Sequence, residues 1–225
     1  MSKLQLKNIT LLCLNCVNTT QAMKALLYSA KDIDFADIVL VSNKKPQTLP
    51  DSIRFVQTNI RTHQESSTFS YYELPNIVKT DYVLSIHDDG FVTNPHLWSD
   101  DFLKYDYIGA PWKNLGQRNR VGNGGFVLKS SKFLHLTRFI RYRGTHDDTE
   151  QTNDYYDYYT TNGCKYAPLE VAMRFSLESK IPECEYDLNN CFGFHGRGIP
   201  ETVSVHEGHY EMFQKKIKLL DEIVL

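Results

Sequence analysis

Between Tyr82 and Val92 the sequence YVLSIHDDGFV carries an apolar run that stops on His87, Asp88, Asp89 and Gly90. The run predicts a buried strand whose end puts two carboxylates and an imidazole at a sheet's carboxyl edge. In open α/β sheets ligands bind at that edge, and such side chains suit a divalent cation carrying phosphates. A polar strand end with Asp89-Gly90 as turn chemistry accounts for the same residues. Two later islands favour the first reading: VGNGGF (Val121 to Phe126) and CFGFHGRG (Cys191 to Gly198). Gly122, Asn123, Gly124 and Gly125 let backbone approach a ligand closely, because glycine has no side chain and admits positive φ. Such a loop suits phosphate or sugar. It does not match a dinucleotide fingerprint, since it lies in mid-chain with no acidic strand end at the required distance. Just ahead of it, Tyr107 and Trp112 in YDYIGAPW offer flat apolar surface suited to a sugar ring, and Arg118 and Arg120 add positive charge.

The elements that must position these residues alternate in the first half of the chain. Strands are predicted over Ile9 to Leu14, Asp37 to Ser42 and Ile53 to Gln57, with helices over Thr20 to Ala30, capped by Thr19 or Thr20, and near Ser70 to Lys79. That order, with apolar strands, predicts a mostly parallel sheet covered on both faces. Past Gly90 short strands and loops follow: Tyr107 to Ala110, the loop Asn114 to Gly125, and Gly125 to Lys129. Ser131 to Arg141 reads as a helix, Gly144 to Asn153 as an exposed polar loop, Asp154 to Thr160 as a helix and Lys165 to Pro168 as a short strand. Ala172 to Ser179 fits a helix or a strand. Tyr210 to Val224 is amphipathic and is expected to dock on its own domain.

At 225 residues with 41% hydrophobic and 23% charged residues, the chain has the composition of one soluble α/β domain over residues 1–225. A formal charge of -2 gives no general attraction for nucleic acid. The first residues hold no long apolar span, so neither a signal peptide nor a membrane helix is expected, and a cytoplasmic location is. Five scattered cysteines fit a reducing compartment. Cys13 and Cys16 form a CxxC without the second pair a structural zinc needs.

The stretches YDYIGAPW, VGNGGFVLKS, KYAPLEVAMRFSLES and FGFHG, in this order, resemble the bacterial DUF5672 family of GT-A-type glycosyltransferases, from about the first strand to Gly196. The resemblance implies an α/β, GT-A, Rossmann-like mixed sheet with helices on both faces. It implies transfer of a sugar from a nucleotide-diphosphate donor, a UDP-sugar foremost, to a glycan or other hydroxyl acceptor. It also implies a divalent metal, Mn²⁺ or Mg²⁺, held by Asp89 together with His195, and an acceptor site at Gly122 to Gly125 with Trp112. His87 stands where the first acid of the metal motif is usual. Asn153-Asp154 falls where an acidic pair is expected. For an inverting reaction Asp154 is the first choice of general base and Glu170 the second. The donor nucleotide is expected over the carboxyl ends of the first and second strands, near Asn15, Cys16, Val17 and Asn18, with Arg61 and His63 following the third strand and His87, Asp88 and Asp89 completing the donor site. Membrane contact is expected only through the acceptor.

Two other readings remain. A metal-dependent phosphohydrolase could use His146-Asp147-Asp148 with His206 and His209. A carbohydrate-binding module could keep the fold without catalysis.

Overall fold

The computed structural model describes residues 2–113, 116–185, 187–196 and 210–225. Apolar runs in the first half form four parallel strands: β1 (Leu4–Leu14), β2 (Ile33–Ser42), β3 (Arg54–Gln57) and β4 (Tyr82–Ile86). A later strand, β7 (Phe126–Ser130), runs antiparallel to β4, and β6 (Tyr107–Ile108) antiparallel to β7. The mixed sheet therefore has the order β3-β2-β1-β4-β7-β6. Alternate residues of each strand serve its two faces. Leu11, Cys13, Leu84, Ile86, Phe126 and Leu128 meet Ala22, Met23 and Leu26 of helix α1 (Thr19–Ser29) and the aromatic residues Phe175, Phe192 and Phe194. On the other face Leu12, Val39, Val41 and Val83 meet Leu74, Val78 and Leu134. Helices α2 (His63–Tyr72), α3 (Leu74–Ile77) and α4 (Ser131–Thr137) supply that side.

A three-stranded sheet, β5-β9-β8, sits beside the large one. Its members are β5 (Gly90–Val92), β8 (Ser176–Leu177) and β9 (Gly193–His195). Helix α7 (Leu169–Phe175) runs directly into β8, so the ambiguous stretch from Ala172 to Ser179 is both helix and strand. The C-terminal helix α8 (Tyr210–Ile217) and the 3₁₀ turn after it bury Phe213 and Leu220 in the core of the α1 face. Among the described residues no helix is long and apolar enough to cross a membrane.

Several local expectations differ from what forms. Asn18 caps α1, its side chain accepting from Gln21 N at 3.2 Å, in place of Thr19 or Thr20. The helix expected over Ser70 to Lys79 is two helices. The first starts early on a capping box of Thr62 and Glu65. It breaks at Glu73 because Pro75 has no amide proton to continue the ladder. Lys165 to Pro168 forms no strand beyond an isolated bridge from Tyr166 to Tyr107. The largest departure is the supposed loop from Gly144 to Asn153. It contains α5 (Asp147–Thr149) and a π-helical turn (Glu150–Asp154) leading to α6 (Tyr156–Thr161). Glu150, Gln151 and Thr152 are buried. The Glu150 carboxylate accepts from Arg143 N, from the amide and hydroxyl of Thr145, and from Tyr71 OH, so an acid that reads as surface is an internal anchor. Burial opposes its charge, and these donors outweigh burial and hold its pKa below the ordinary value.

Candidate active site

Strand register brings the site together. Cys13 pairs with Ile86 and Leu14 with Val41, so the segments after β1, β2 and β4 leave the sheet along one edge. Antiparallel β7 delivers its beginning to that edge: Ile86 pairs with Phe126, and His87 N donates to Gly125 O at 2.9 Å. In the small sheet Gly90 pairs with His195, which sets that histidine next to Asp89, and Gly196 N donates to Asp89 O at 3.0 Å. Leu177 pairs in parallel with Phe194, so Glu178 emerges beside His195.

One donor atom from each of His87, Asp89 and His195 lies within 4.8 Å of the other two. His195 Nε2 is 3.5 Å from Asp89 Oδ1, and its Nδ1 is 2.9 Å from Glu178 Oε1. The rings of His87 and His195 meet edge to face, 5.1 Å between centroids. Two glycines make room for this. A Cβ on Gly125 would stand 2.1 Å from His195 Nε2. Gly196 takes φ 121°, a backbone region that side chains disfavour, immediately after the histidine. Burial disfavours a charged His195, but the hydrogen bonds and charges of Asp89 and Glu178 prevail and lift its pKa to about 10. His87 keeps its ring in contact with solvent at the mouth of the cluster. Desolvation by the surrounding protein, then the positive charge of His195, push its pKa below the ordinary imidazole value.

A second acidic feature adjoins the glycine loop. Asp148 Oδ2 accepts from Gly124 N at 3.0 Å, and Asp148 Oδ1 accepts from Thr149 N at 2.7 Å. Burial, and then the charge of Asp147, raise the Asp148 pKa. The charges of Asp147 and Glu178 bear on His87, that of Glu178 also bears on Asp148, and the successive glycines 124 and 125 lie against Asp148 and His195 respectively. Sequence reading placed Asp147 and Asp148 in an exposed loop and weighed them, with His146, only as metal ligands of a phosphohydrolase; their adjacency to a helix start, where acids are favoured, is a further signal.

The other anticipated residues are distributed as follows. Asp154 lies on the π-helical turn with its carboxylate 3.5 Å from Arg143 Nη1, and it is not one of the three grouped residues His87, Asp89 and His195. Glu170 is exposed on the first turn of α7. Asn153 Oδ1 accepts from Asn119 N at 3.3 Å, at the flank of the glycine-rich loop. Asn123 is buried, its Oδ1 accepting from Gly125 N at 2.9 Å. None of Gly122, Gly124 and Gly125 has positive φ, so these glycines serve close approach alone. Trp112 rests its ring against the backbone of Gly122. Tyr107 is fully buried with its hydroxyl donating to Gly122 O, and so offers no platform to a sugar. Asn15 Oδ1 accepts from Val17 N and Asn18 N, shaping the turn into α1. Arg61 N donates to Glu65 within the α2 capping box, and His63 meets His146 edge to face at 5.5 Å. Asp88 is buried beside Cys13, whose thiol is raised by burial and then by Asp88 and Asp89. A cavity of about 510 Å³ opens beside α1 and includes Asn18, Thr19, Lys44 and Lys45, but none of the cluster residues lines it. His206 and His209 lie outside the described residues.

Residues 51–195 match the family described as "Protein of unknown function (DUF5672)". Two solved structures share the architecture. One is the galactosyltransferase LgtC in complex with donor and acceptor sugar analogs, 14% identical, TM-score 0.52, with 96% of each chain covered. The other is the apo-form glycosyltransferase GlyE of Streptococcus pneumoniae TIGR4, 12% identical, TM-score 0.50, covering 96% of this chain and 62% of that one. At such identities the likeness shows the fold alone, and that fold is GT-A. No curated protein matches the sequence.

Proposed function

The chain belongs to the DUF5672 family and has the GT-A fold, and from that premise we propose that it is a glycosyltransferase acting on a nucleotide-diphosphate sugar. Residues 1–225 act as one catalytic domain, and the acceptor is a hydroxyl of a glycan or similar molecule. The observation that carries this reading is the convergence of His87, Asp89 and His195 within 4.8 Å at the carboxyl edge of the parallel strands, beside the glycine loop.

Two imidazoles and one carboxylate are a donor set that fits a divalent cation, with positions left open for phosphate oxygens. When bound, the ion supplies Lewis acidity to the departing diphosphate. His195 at the end of β9, Asp89 in the turn before β5 and His87 just after β4 would hold it. Glu178 orients His195 through Nδ1, so that Nε2 faces the site. The nucleotide, with uridine the expected base, lies over the ends of β1 and β2 near Asn15 and Asn18.

The second requirement is a base for the acceptor hydroxyl. Asp148 replaces Asp154 in this role. It is carried on the glycine loop by Gly124 N, its pKa is raised toward the working range of a base, and the next glycine of the loop, Gly125, lies against His195. The acceptor hydroxyl gives its proton to an Asp148 carboxylate oxygen as its own oxygen bonds to the anomeric carbon and the bond from that carbon to the diphosphate oxygen breaks, the diphosphate leaving with the electron pair; a single displacement from the opposite side inverts the configuration. Backbone of Gly122, Asn123 and Gly124, with Trp112 behind it, forms the wall against which the acceptor sugar packs.

Calorimetry with nucleoside diphosphates and Mn²⁺, paired with an assay of donor-sugar hydrolysis, tests the proposal. Wild type binds both ligands and slowly hydrolyses particular nucleotide sugars, whereas Asp89→Ala loses both properties while remaining folded. An Asp89→Ala protein that binds like wild type overturns the assignment. Turnover of simple phosphate esters would instead indicate a phosphohydrolase.

A further inference from the structure

We propose that His87 makes this centre selective for the later first-row transition dications, such as Co²⁺ and Zn²⁺, over Mg²⁺. The inference rests on the metal reading of the site given above and adds which ions it takes. Among the described residues the cluster offers two imidazoles and a single carboxylate. Imidazole favours transition ions, while Mg²⁺ demands hard oxygen donors and gives up water reluctantly. His87 is the ligand that makes nitrogen donors the majority of this set. Its place in the fold supports the role: the backbone is pinned by His87 N to Gly125 O at 2.9 Å, and the solvent-exposed ring faces His195. Glu178 holds the other imidazole through Nδ1 at 2.9 Å, leaving His195 Nε2 toward Asp89 and His87. The three ligands come from the segment between β4 and β5 and from the end of β9, and water or phosphate oxygen would complete the ion's shell.

The test uses tag-free, metal-free full-length protein titrated calorimetrically with Co²⁺ and with Mg²⁺. Transition ions bind most sites more tightly, so the quantity to compare is the ratio of the two affinities in wild type and in His87→Asp. The ratio is expected to fall by about tenfold or more in the variant as Mg²⁺ binding gains and Co²⁺ binding loses. An unchanged ratio overturns the inference. Electron paramagnetic resonance of Cu²⁺-loaded wild type reads the same point without a variant: coupling to two nitrogens is expected, and coupling to one overturns it. His63 and His146 form a second exposed imidazole pair, 5.5 Å between centroids. His146→Ala should leave the preference intact, and its loss there would move the site away from His87. Selective binding without hydrolysis of any nucleotide sugar would sustain this inference and remove the transferase reading. Absence of saturable binding by any dication would remove both.

Discussion

Substituting alanine at Gly125 tests the geometry of the cluster without removing any of its polar groups. The added Cβ would stand 2.1 Å from His195 Nε2, 2.2 Å from Cδ2 and 2.4 Å from Cε1, so it strikes the whole outer edge of the ring. Ordinary contact begins near 3.4 Å, so the ring or strand must retreat by about 1.3 Å. The ring has little freedom to do so. Its Nδ1 is held by Glu178 at 2.9 Å, its Nε2 lies 3.5 Å from Asp89, and the Gly125 carbonyl holds His87 N at 2.9 Å. A displacement of this size at a catalytic centre costs on the order of 10²-fold in turnover. Altered support of a ligand costs about 10–100-fold in metal affinity. Gly125→Ala is therefore expected to lower both dication affinity by calorimetry and donor hydrolysis by factors of that order. Gly124→Ala is the comparison: its Cβ meets the Asp148 side chain at 3.1 Å, so it should disturb turnover while leaving dication affinity close to wild type. Wild-type dication affinity in folded Gly125→Ala would show that His195 is not held where the cluster requires it, and would refute the reasoning.

Glu178→Gln removes the charge facing His195 Nδ1 while keeping its shape, and dication affinity is expected to drop by about 10–100-fold with the melting temperature little changed; calorimetry on both proteins decides it. Asp148→Asn should abolish the acidic limb of the pH–rate profile, a limb that in wild type lies above the ordinary carboxylate range. Because the folded-state pKa of Asp148 is raised, native stability falls as pH rises from the unfolded value through the folded one. Asp148→Asn should therefore melt higher than wild type at neutral pH and lose that advantage in acid. Equal melting curves at all pH values would contradict a buried, unwilling carboxylate. Glu150→Ala leaves the amides of Arg143 and Thr145 and the Tyr71 hydroxyl without their acceptor, and denaturant unfolding should show a loss of roughly 3 kcal/mol.

Much of this protein is written locally. The apolar runs of β1, β2 and β4, the halt of β4 on His87, Asp88 and Asp89, and the family to which residues 51–195 belong all yield to inspection, because strand burial, strand ends and short motifs depend on near neighbours in sequence. The two aspartates at positions 148 and 154 show where that reasoning stops. Asp148 and Asp154 are both acids near a helix start, and only the path of the π-helical turn sends one to Gly124 N and the other to Arg143. Glu178 lies within KYAPLEVAMRFSLES but had no role assigned, since its place beside His195 comes from the parallel register of β8 with β9. Glu150 misled for the same reason: a charged residue reads as surface until four distant or folded-back donors surround it. Glycines invite a reading in terms of φ, but at positions 122, 124 and 125 the limit is the space left by Trp112, Asp148 and His195. Sequence alone determined which residues follow the strands at the sheet's carboxyl edge. Tertiary structure decided which distant groups meet them there, because register and chain path, unlike burial pattern, are settled only when whole elements pack together.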